Sequence, residues 1–218
     1  MADRAVGMPI VKEGIPFVAA TGLPAIGAGV LGWPILGALL AGFALFCAWF
    51  FRNPRRTAPD VPNAIVASGD GRVIAVEREF EPRYLKDQSF RISIFLNVFD
   101  VHVNRIPCEG TVEGVTYQPG RFLVASRPEA TIQNEQNAVM IRTAKGDKVL
   151  CVQVAGLIAR RIVSWLSTGE KVSRGERFGL IRFGSRMDTF LPVTAQVRVR
   201  VGDRVKGGVT TLAVLSSG

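Results

Sequence analysis

Apolar residues follow two regimes along this chain. Between Glu13 and Arg52 no charged residue interrupts them. A run longer than about 18 apolar residues reads as membrane-spanning. Pro24 and Pro34 divide the run. The pattern therefore predicts a membrane anchor over residues 1–51, either a helical hairpin or one span plus a re-entrant arm. Residues 34–51 are the stronger candidate span, and residues 15–32 a weaker, glycine-rich one. A cleaved signal peptide fits poorly, because the run is too long and Phe50-Phe51-Arg52 is no small-residue cleavage site.

Past Arg52 the regime changes. RNPRRTAPDVPNA (52–64) has no periodicity and reads as a proline-rich linker. From residue 65 onward, short β-branched stretches alternate with polar residues: VIAVE (73–77), FRISIFL (90–96), TVEGVTY (111–117), AVMIRTA (138–144) and KVLCVQVAG (148–156). Pro119-Gly120 and Lys145-Gly146-Asp147 suit hairpin connections. The apolar spacing loosens toward a helical period over 157–166, which predicts one helix there. Near the end, GEKVSRG (169–175) and GDRVKGG (202–208) share the pattern Gly-acid-basic-Val-x-x-Gly. This resembles the turn units of small lipoyl- and biotinyl-type β-sandwiches and predicts two similar hairpins on a shared core. No Met-Lys-Met accompanies it, so carrier function is not implied. The expected fold over 65–218 is mainly β (α+β), a sandwich- or barrel-like domain.

Charge sharpens this picture. Asp3, Arg4, Lys12 and Glu13 cancel within the anchor, so the whole formal net charge of +9 falls on residues 52–218. Three arginines follow the apolar run directly, and the positive-inside rule puts that end in the cytoplasm. A basic domain held there suits an anionic lipid surface, with general solubility as the plainer reading. Nucleic acid is a poor fit, because the basic residues are scattered without interleaved aromatics. The three cysteines include no CxxC and read as buried thiols in a reducing compartment.

Candidate chemistry is limited by the single histidine, His102. A Ser/His/Asp or Cys/His pair could form only around it, and the cysteines are not spaced for zinc. Three pieces remain. SGDGRV (68–73) holds Asp70 between two glycines and reads either as a plain turn or as a carboxylate on a turn that another segment can approach closely. NVFDVHVNRIP (97–107) alternates Phe99, Val101, Val103 and Arg105 with Asp100, His102 and Asn104, which suits a polar cleft or a solvent-facing edge. RFGSRMD (182–188) contains the chain's one Gly-Ser step and no GxSxG elbow.

Taken in order, these pieces resemble the phosphatidylserine decarboxylases, in the short prokaryotic form with an N-terminal membrane segment. The resemblance runs through FFRNPRR (50–56), SGDGRV, FLNVFDVHVNRIPCEG (95–110), QNEQN (133–137), VAGLIARRIV (154–163) and FGS (183–185). It implies self-cleavage between Gly184 and Ser185 into chains 1–184 and 185–218 that stay associated by packing. Ser185 would become a covalent pyruvoyl group, the cofactor, which forms a Schiff base with the substrate amine and takes up the electrons left by CO₂ loss. No metal is required. Asp70 and a histidine would assist cleavage, and a histidine would serve decarboxylation of phosphatidylserine to phosphatidylethanolamine. The family pattern carries a second histidine where this chain has Arg105, so either His102 serves both steps or Asp70 acts without an imidazole. The implied setting is the cytoplasmic side of the cell (inner) membrane, with phospholipid as substrate and a homo-oligomer compatible with it. The alternative is a non-enzymatic, membrane-anchored β-domain binding anionic lipid or a protein partner.

Overall fold

The computed structural model of the chain describes residues 8–123, 125–126, 133–156, 161–182 and 184–216. The chain divides into two compact units, Met1–Arg55 and Arg56–Gly218.

In the first unit, helix α1 (Ile15–Val30) and helix α2 (Pro34–Phe50) form a hairpin. Gly32, at φ +75°, lies in the three-residue connection. The helices approach through small residues: a Cβ on Gly37 would lie 3.3 Å from the Ala25 carbonyl oxygen. Large apolar side chains such as Leu23, Ile26, Val30, Ile35, Leu39 and Leu45 point outward and are exposed. The segment Lys12–Val30 is 19 residues and is long and apolar enough to cross a membrane, whereas Pro34–Phe50 is shorter. By length this reverses the order expected from the sequence. A 3-10 turn at Lys12–Gly14 extends the first arm, and Pro34 opens α2 no earlier than its own position. At the C-terminal end of α2 the Arg52 guanidinium stacks 4.0 Å over the Trp49 ring. That pairing of aromatic and cation is typical of a membrane–water boundary.

The second unit opens with β1 (Ala64–Val66), β2 (Gly71–Glu81), β3 (Asp87–Leu96), β4 (Val103–Arg105) and β5 (Gly110–Gln118). It continues with β6 (Gln136–Arg142), β7 (Lys148–Ala155), β8 (Ile162–Ser164), β9 (Lys171–Val172) and β10 (Arg177–Ile181). The last four strands are β11 (Ser185–Pro192), β12 (Gln196–Val197), β13 (Arg204–Val205) and β14 (Thr211–Val214). Eight of them form one sheet in the order β13-β2-β3-β11-β7-β6-β5-β9, and two three-stranded sheets, β1-β14-β12 and β4-β10-β8, complete the unit. All pairings between these strands are antiparallel. Alternation explains the core. Ile92, Ile94 and Leu96 of β3 meet Met187 and Leu191 of β11 on one face, while Arg91, Ser93 and Asp188 occupy the other.

All five stretches read as strands are strands, and the mainly β expectation holds. The expected helix over 157–166 does not. Residues 157–160 lie outside the described residues, and Ile162–Ser164 is a strand paired with β10. Short β-branched Ile162 and Val163 prefer the pleat to a helical turn. The central strand β11 is not among the stretches that the β-branched pattern singles out.

The internal repeat is built twice. Gly169 and Gly202 take φ +86° and +99°, and Gly175 and Gly208 take +79° and +76°. In each copy the acidic residue caps the backbone three residues earlier, Glu170 at Ser167 and Asp203 at Arg200. Val172 and Val205 enter the same core. The copies sit at the two edges of the large sheet, on β9 and β13. They meet where Gly175 packs on Gly208, with a Cβ on Gly175 only 3.3 Å from the Gly208 carbonyl. The sheet is therefore curled, and the turns that follow its two edge strands meet.

Cys108 and Cys151 are buried free thiols. Burial raises both pKa values, that of Cys151 from an ordinary 9.0 up to about 12 despite its hydrogen bond to Ser68. The unfolded thiols ionise first, so their contribution to stability is complete below about pH 9 and is lost as pH rises toward 12. Iodoacetamide at pH 8 should leave both unlabelled in the folded protein and label both in urea, read by peptide mass.

Candidate active site

Strand β11 starts at Ser185, which pairs in register with Leu96 of β3 on one side and Ala155 of β7 on the other. This places the Gly184-Ser185 peptide at the end of the central strand. Gly184 holds φ +70°, a conformation that strongly favours glycine. The Ser185 side chain is fully buried, and its Oγ has no hydrogen-bond partner among the described residues. A buried hydroxyl that donates to nothing is costly in a resting fold. It is also unusually available to the peptide carbonyl beside it.

His102 reaches this link. Its Nε2 lies 3.4 Å from the Gly184 amide nitrogen, and its Nδ1 lies 3.0 Å from the Asp100 carbonyl oxygen. The Gly184 N–H donates to Nε2, so Nε2 is the acceptor and Nδ1 carries the proton that Asp100 accepts. Asp100 is itself fixed by Arg204 at 3.2 Å and by the Asn97 N–H at 2.9 Å. The alternation expected over 97–107 is realised only in part: Val103–Arg105 is a strand, residues 97–100 form a turn, and Phe99 is exposed. Both sides of the strand are covered. Asn104, read as part of a cleft face, is buried and accepts from Gln153 at 2.8 Å.

Asp70 lies elsewhere in the neighbourhood. Its turn packs through Gly69 on Leu96 and Met187, and Gly71 passes so near Phe95 that a Cβ would lie 2.0 Å from the carbonyl oxygen. The close-approach reading of the two glycines therefore describes what they do. The Asp70 carboxylate forms a two-point ion pair with Arg56, and Gly207 N–H donates to it at 2.8 Å. Among the described residues it makes no hydrogen bond to Ser185 or His102. Arg105, standing where a second histidine was expected, is buried and donates to the Gly175 carbonyl at 2.9 Å. Burial first, then the charges of Arg56 and Arg177, bring its pKa down to about 10, with Asp70 opposing. The structure thus joins Ser185, Gly184 and His102, and leaves Asp70 within a separate arginine cluster.

Three further residues shape the site. Asn134 is buried, accepts from Leu123 N–H at 3.0 Å, and donates to the carbonyls of Leu123 and Ala155 at 2.8 and 2.7 Å. Arg186 donates to the Ala125 carbonyl at 3.0 Å and ion-pairs with Asp188 at 2.8 Å. Together these side chains hold the Leu123 and Ala125 backbone against the strand ends that carry Ser185. Asn134 belongs to the quoted QNEQN stretch; an arginine and an aspartate two apart in β11 were the available signal for the ion pair. Among the described residues no three His, Cys, Asp or Glu side chains converge as a metal site.

Comparison with known proteins bears directly on this arrangement. The profile of the phosphatidylserine decarboxylase family matches residues 43–213, spanning both Asp70 and the Gly184-Ser185 link. The chain belongs to this family. It is 46% identical over 206 residues to a phosphatidylserine decarboxylase proenzyme of Syntrophus aciditrophicus, covering 93% of this chain and 96% of that one. It is 47% identical over 212 residues to a proenzyme of the same name from Geobacter metallireducens, covering 95% and 97%. A Ralstonia nicotianae relative is 46% identical over 209 residues, covering 94% and 95%. The name proenzyme marks these relatives as precursors.

Proposed function

We propose that this family member cuts its own chain between Gly184 and Ser185 and uses the resulting pyruvoyl group to decarboxylate phosphatidylserine to phosphatidylethanolamine. The observation that carries the reading is the buried, unpartnered Ser185 Oγ next to the peptide carbonyl of Gly184. In the first step Oγ adds to that carbonyl carbon. The C–N bond breaks, the hydroxyl proton passes to the Ser185 nitrogen, and an ester replaces the amide. Loss of the Ser185 α-proton expels the Gly184 carboxylate, and water then releases ammonia, leaving the pyruvoyl group on residue 185. That group supplies an electron sink for the carbanion that forms as CO₂ departs.

His102 divides its work between the two stages. Before cleavage its Nε2 accepts from Gly184 N–H and holds the residue in place. After cleavage Gly184 is a chain end, and the same nitrogen, once it has taken up a proton, can hand it to the carbanion formed at residue 185. His102→Ala should therefore slow processing less than turnover, with decarboxylation falling by about 100- to 10,000-fold. Intact mass follows the first, and CO₂ release from processed protein the second. Equal losses in both would refute the division. The supporting test of the whole reading is amine trapping: borohydride reduction with substrate should add mass to the 185–218 chain only.

The apolar hairpin and the arginines after it favour attachment to the cytoplasmic face of the cell membrane, where the phospholipid substrate is presented. Arg52 fits that boundary through Trp49. Arg56, by contrast, is committed to Asp70 within the catalytic unit.

A further inference from the structure

The residue facing the Gly184-Ser185 link from β7 is Gly156. Ala155 pairs with Ser185, so the next position along β7 lies opposite Gly184. A Cβ on Gly156 would lie 2.0 Å from the Gly184 carbonyl oxygen, 3.0 Å from its carbon and 3.4 Å from the Ala125 side chain. Gly156 is not among the positive-φ residues, so the position does not call for glycine on backbone grounds. It calls for glycine because the peptide carbonyl occupies the space a side chain would take.

Backbone direction adds a second observation. Ala155 turns both its polar groups to the β6 side: its N–H donates to Glu135 at 3.0 Å, and its carbonyl accepts from Asn134 at 2.7 Å. Successive residues of an antiparallel strand alternate in this respect. The N–H of Gly156 is therefore turned to the β11 side, where the Gly184 carbonyl lies.

We infer that Gly156 is a catalytic residue of self-cleavage: it seats the Gly184 carbonyl and offers its N–H to that oxygen as it takes up negative charge. The inference rests on cleavage occurring at Gly184-Ser185. When Ser185 Oγ bonds to the Gly184 carbon, the carbonyl π pair moves onto oxygen, and the pair returns as the C–N bond breaks. The site is buried, so a fixed donor aimed at that oxygen is worth more than it would be in water. The seat needs no side chain, which explains why sequence reasoning, attentive to titratable groups, passed over it.

The test follows processing of freshly synthesised full chain in detergent by intact mass. Wild type, Gly156→Ala, Gly179→Ala and a chain with glycolic acid at position 156 are compared. Gly179→Ala is the steric control, since its Cβ would lie 2.1 Å from the Val163 carbonyl, a peptide that is not cut. Glycolic acid keeps the size of glycine and removes only the N–H. Gly156→Ala and the glycolate chain should each cut at least about 100-fold more slowly than wild type, in the range seen for loss of an oxyanion donor. Gly179→Ala should still cut. Hydroxylamine, which cleaves esters, should release no 1–184 fragment from Gly156→Ala, because its block precedes the ester; the glycolate chain is read by intact mass alone, since its own 155–156 ester is open to the reagent. Cleavage of the glycolate chain at the wild-type rate overturns the inference even if Gly156→Ala fails to fold, and so does a hydroxylamine-sensitive ester at 184–185 accumulating in Gly156→Ala. An uncut wild type would instead count against the proposed function itself.

Discussion

Ser185→Ala should give a single uncut chain of 218 residues with no decarboxylase activity, while the fold and membrane attachment persist. The alanine methyl fits the space already occupied by the Ser185 Cβ, and the lost hydroxyl makes no hydrogen bond among the described residues. Removing a buried, unpartnered hydroxyl is neutral or stabilising, in contrast to removing a satisfied one. The variant should therefore melt no lower than an uncut wild-type chain. Chemistry, by contrast, disappears completely, because no other atom can form the ester or become the pyruvoyl group. Intact mass and activity on phosphatidylserine vesicles check both halves. A variant that is still cut at 184–185, or that retains turnover, would rule out Ser185 as the source of the electrophile.

A large loss of stability is expected from Asp188→Ala. Arg186 and Asp188 are 2% and 1% exposed, and Arg186 is fully enclosed by the outer face of the sheet and the Ala125 carbonyl. Removing one partner of such a pair strands the other charge, which costs about 3–5 kcal/mol. That is a large share of the roughly 5–15 kcal/mol that holds a typical domain together. In the uncut Ser185→Ala background, melting should fall by roughly 6–20 °C, taking about 2–4 °C per kcal/mol for a unit of this size. Replacing both residues with apolar side chains of similar volume should recover most of that loss, because the stranded charge is then gone. A drop of only a degree or two in the single variant would show that the pair contributes little.

The same strand shows where sequence reading reached its limit. Strands β2, β3, β5, β6 and β7 announce themselves through β-branched residues alternating with polar ones, and the structure follows them closely. SRMDTFLP alternates as well, with Ser185, Met187, Thr189 and Leu191 on one face. Its other face carries Arg186 and Asp188, which read as solvent-exposed until β3 and β7 enclose them. Burial of a matched ion pair leaves no trace in hydropathy. Arg56 was hidden in a similar way: a proline-rich stretch looks like a linker, yet its last arginine binds Asp70 across 14 residues. The repeated glycine turns were legible because positive φ restricts residue choice so strongly. Ser185 itself was legible only through the order of several motifs, since one Gly-Ser step carries no chemistry on its face. His102 could be singled out by scarcity, but its hold on Gly184 depends on a contact 82 residues away along the chain.

The curled sheet gives the cut a thermodynamic direction. One repeat, 169–175, lies before residue 184 and the other, 202–208, lies after it, so under the proposed cut the joint at Gly175 and Gly208 would become a contact between two chains. Strand β11 then sits as a guest between β3 and β7 of the larger piece. An unfolded precursor can find its way back at any dilution, since all its strands share one chain. The processed protein cannot: its reassembly is bimolecular and depends on concentration. Under the proposed cleavage each enzyme molecule is folded once, as a precursor, and thereafter endures by the slowness with which its two pieces part.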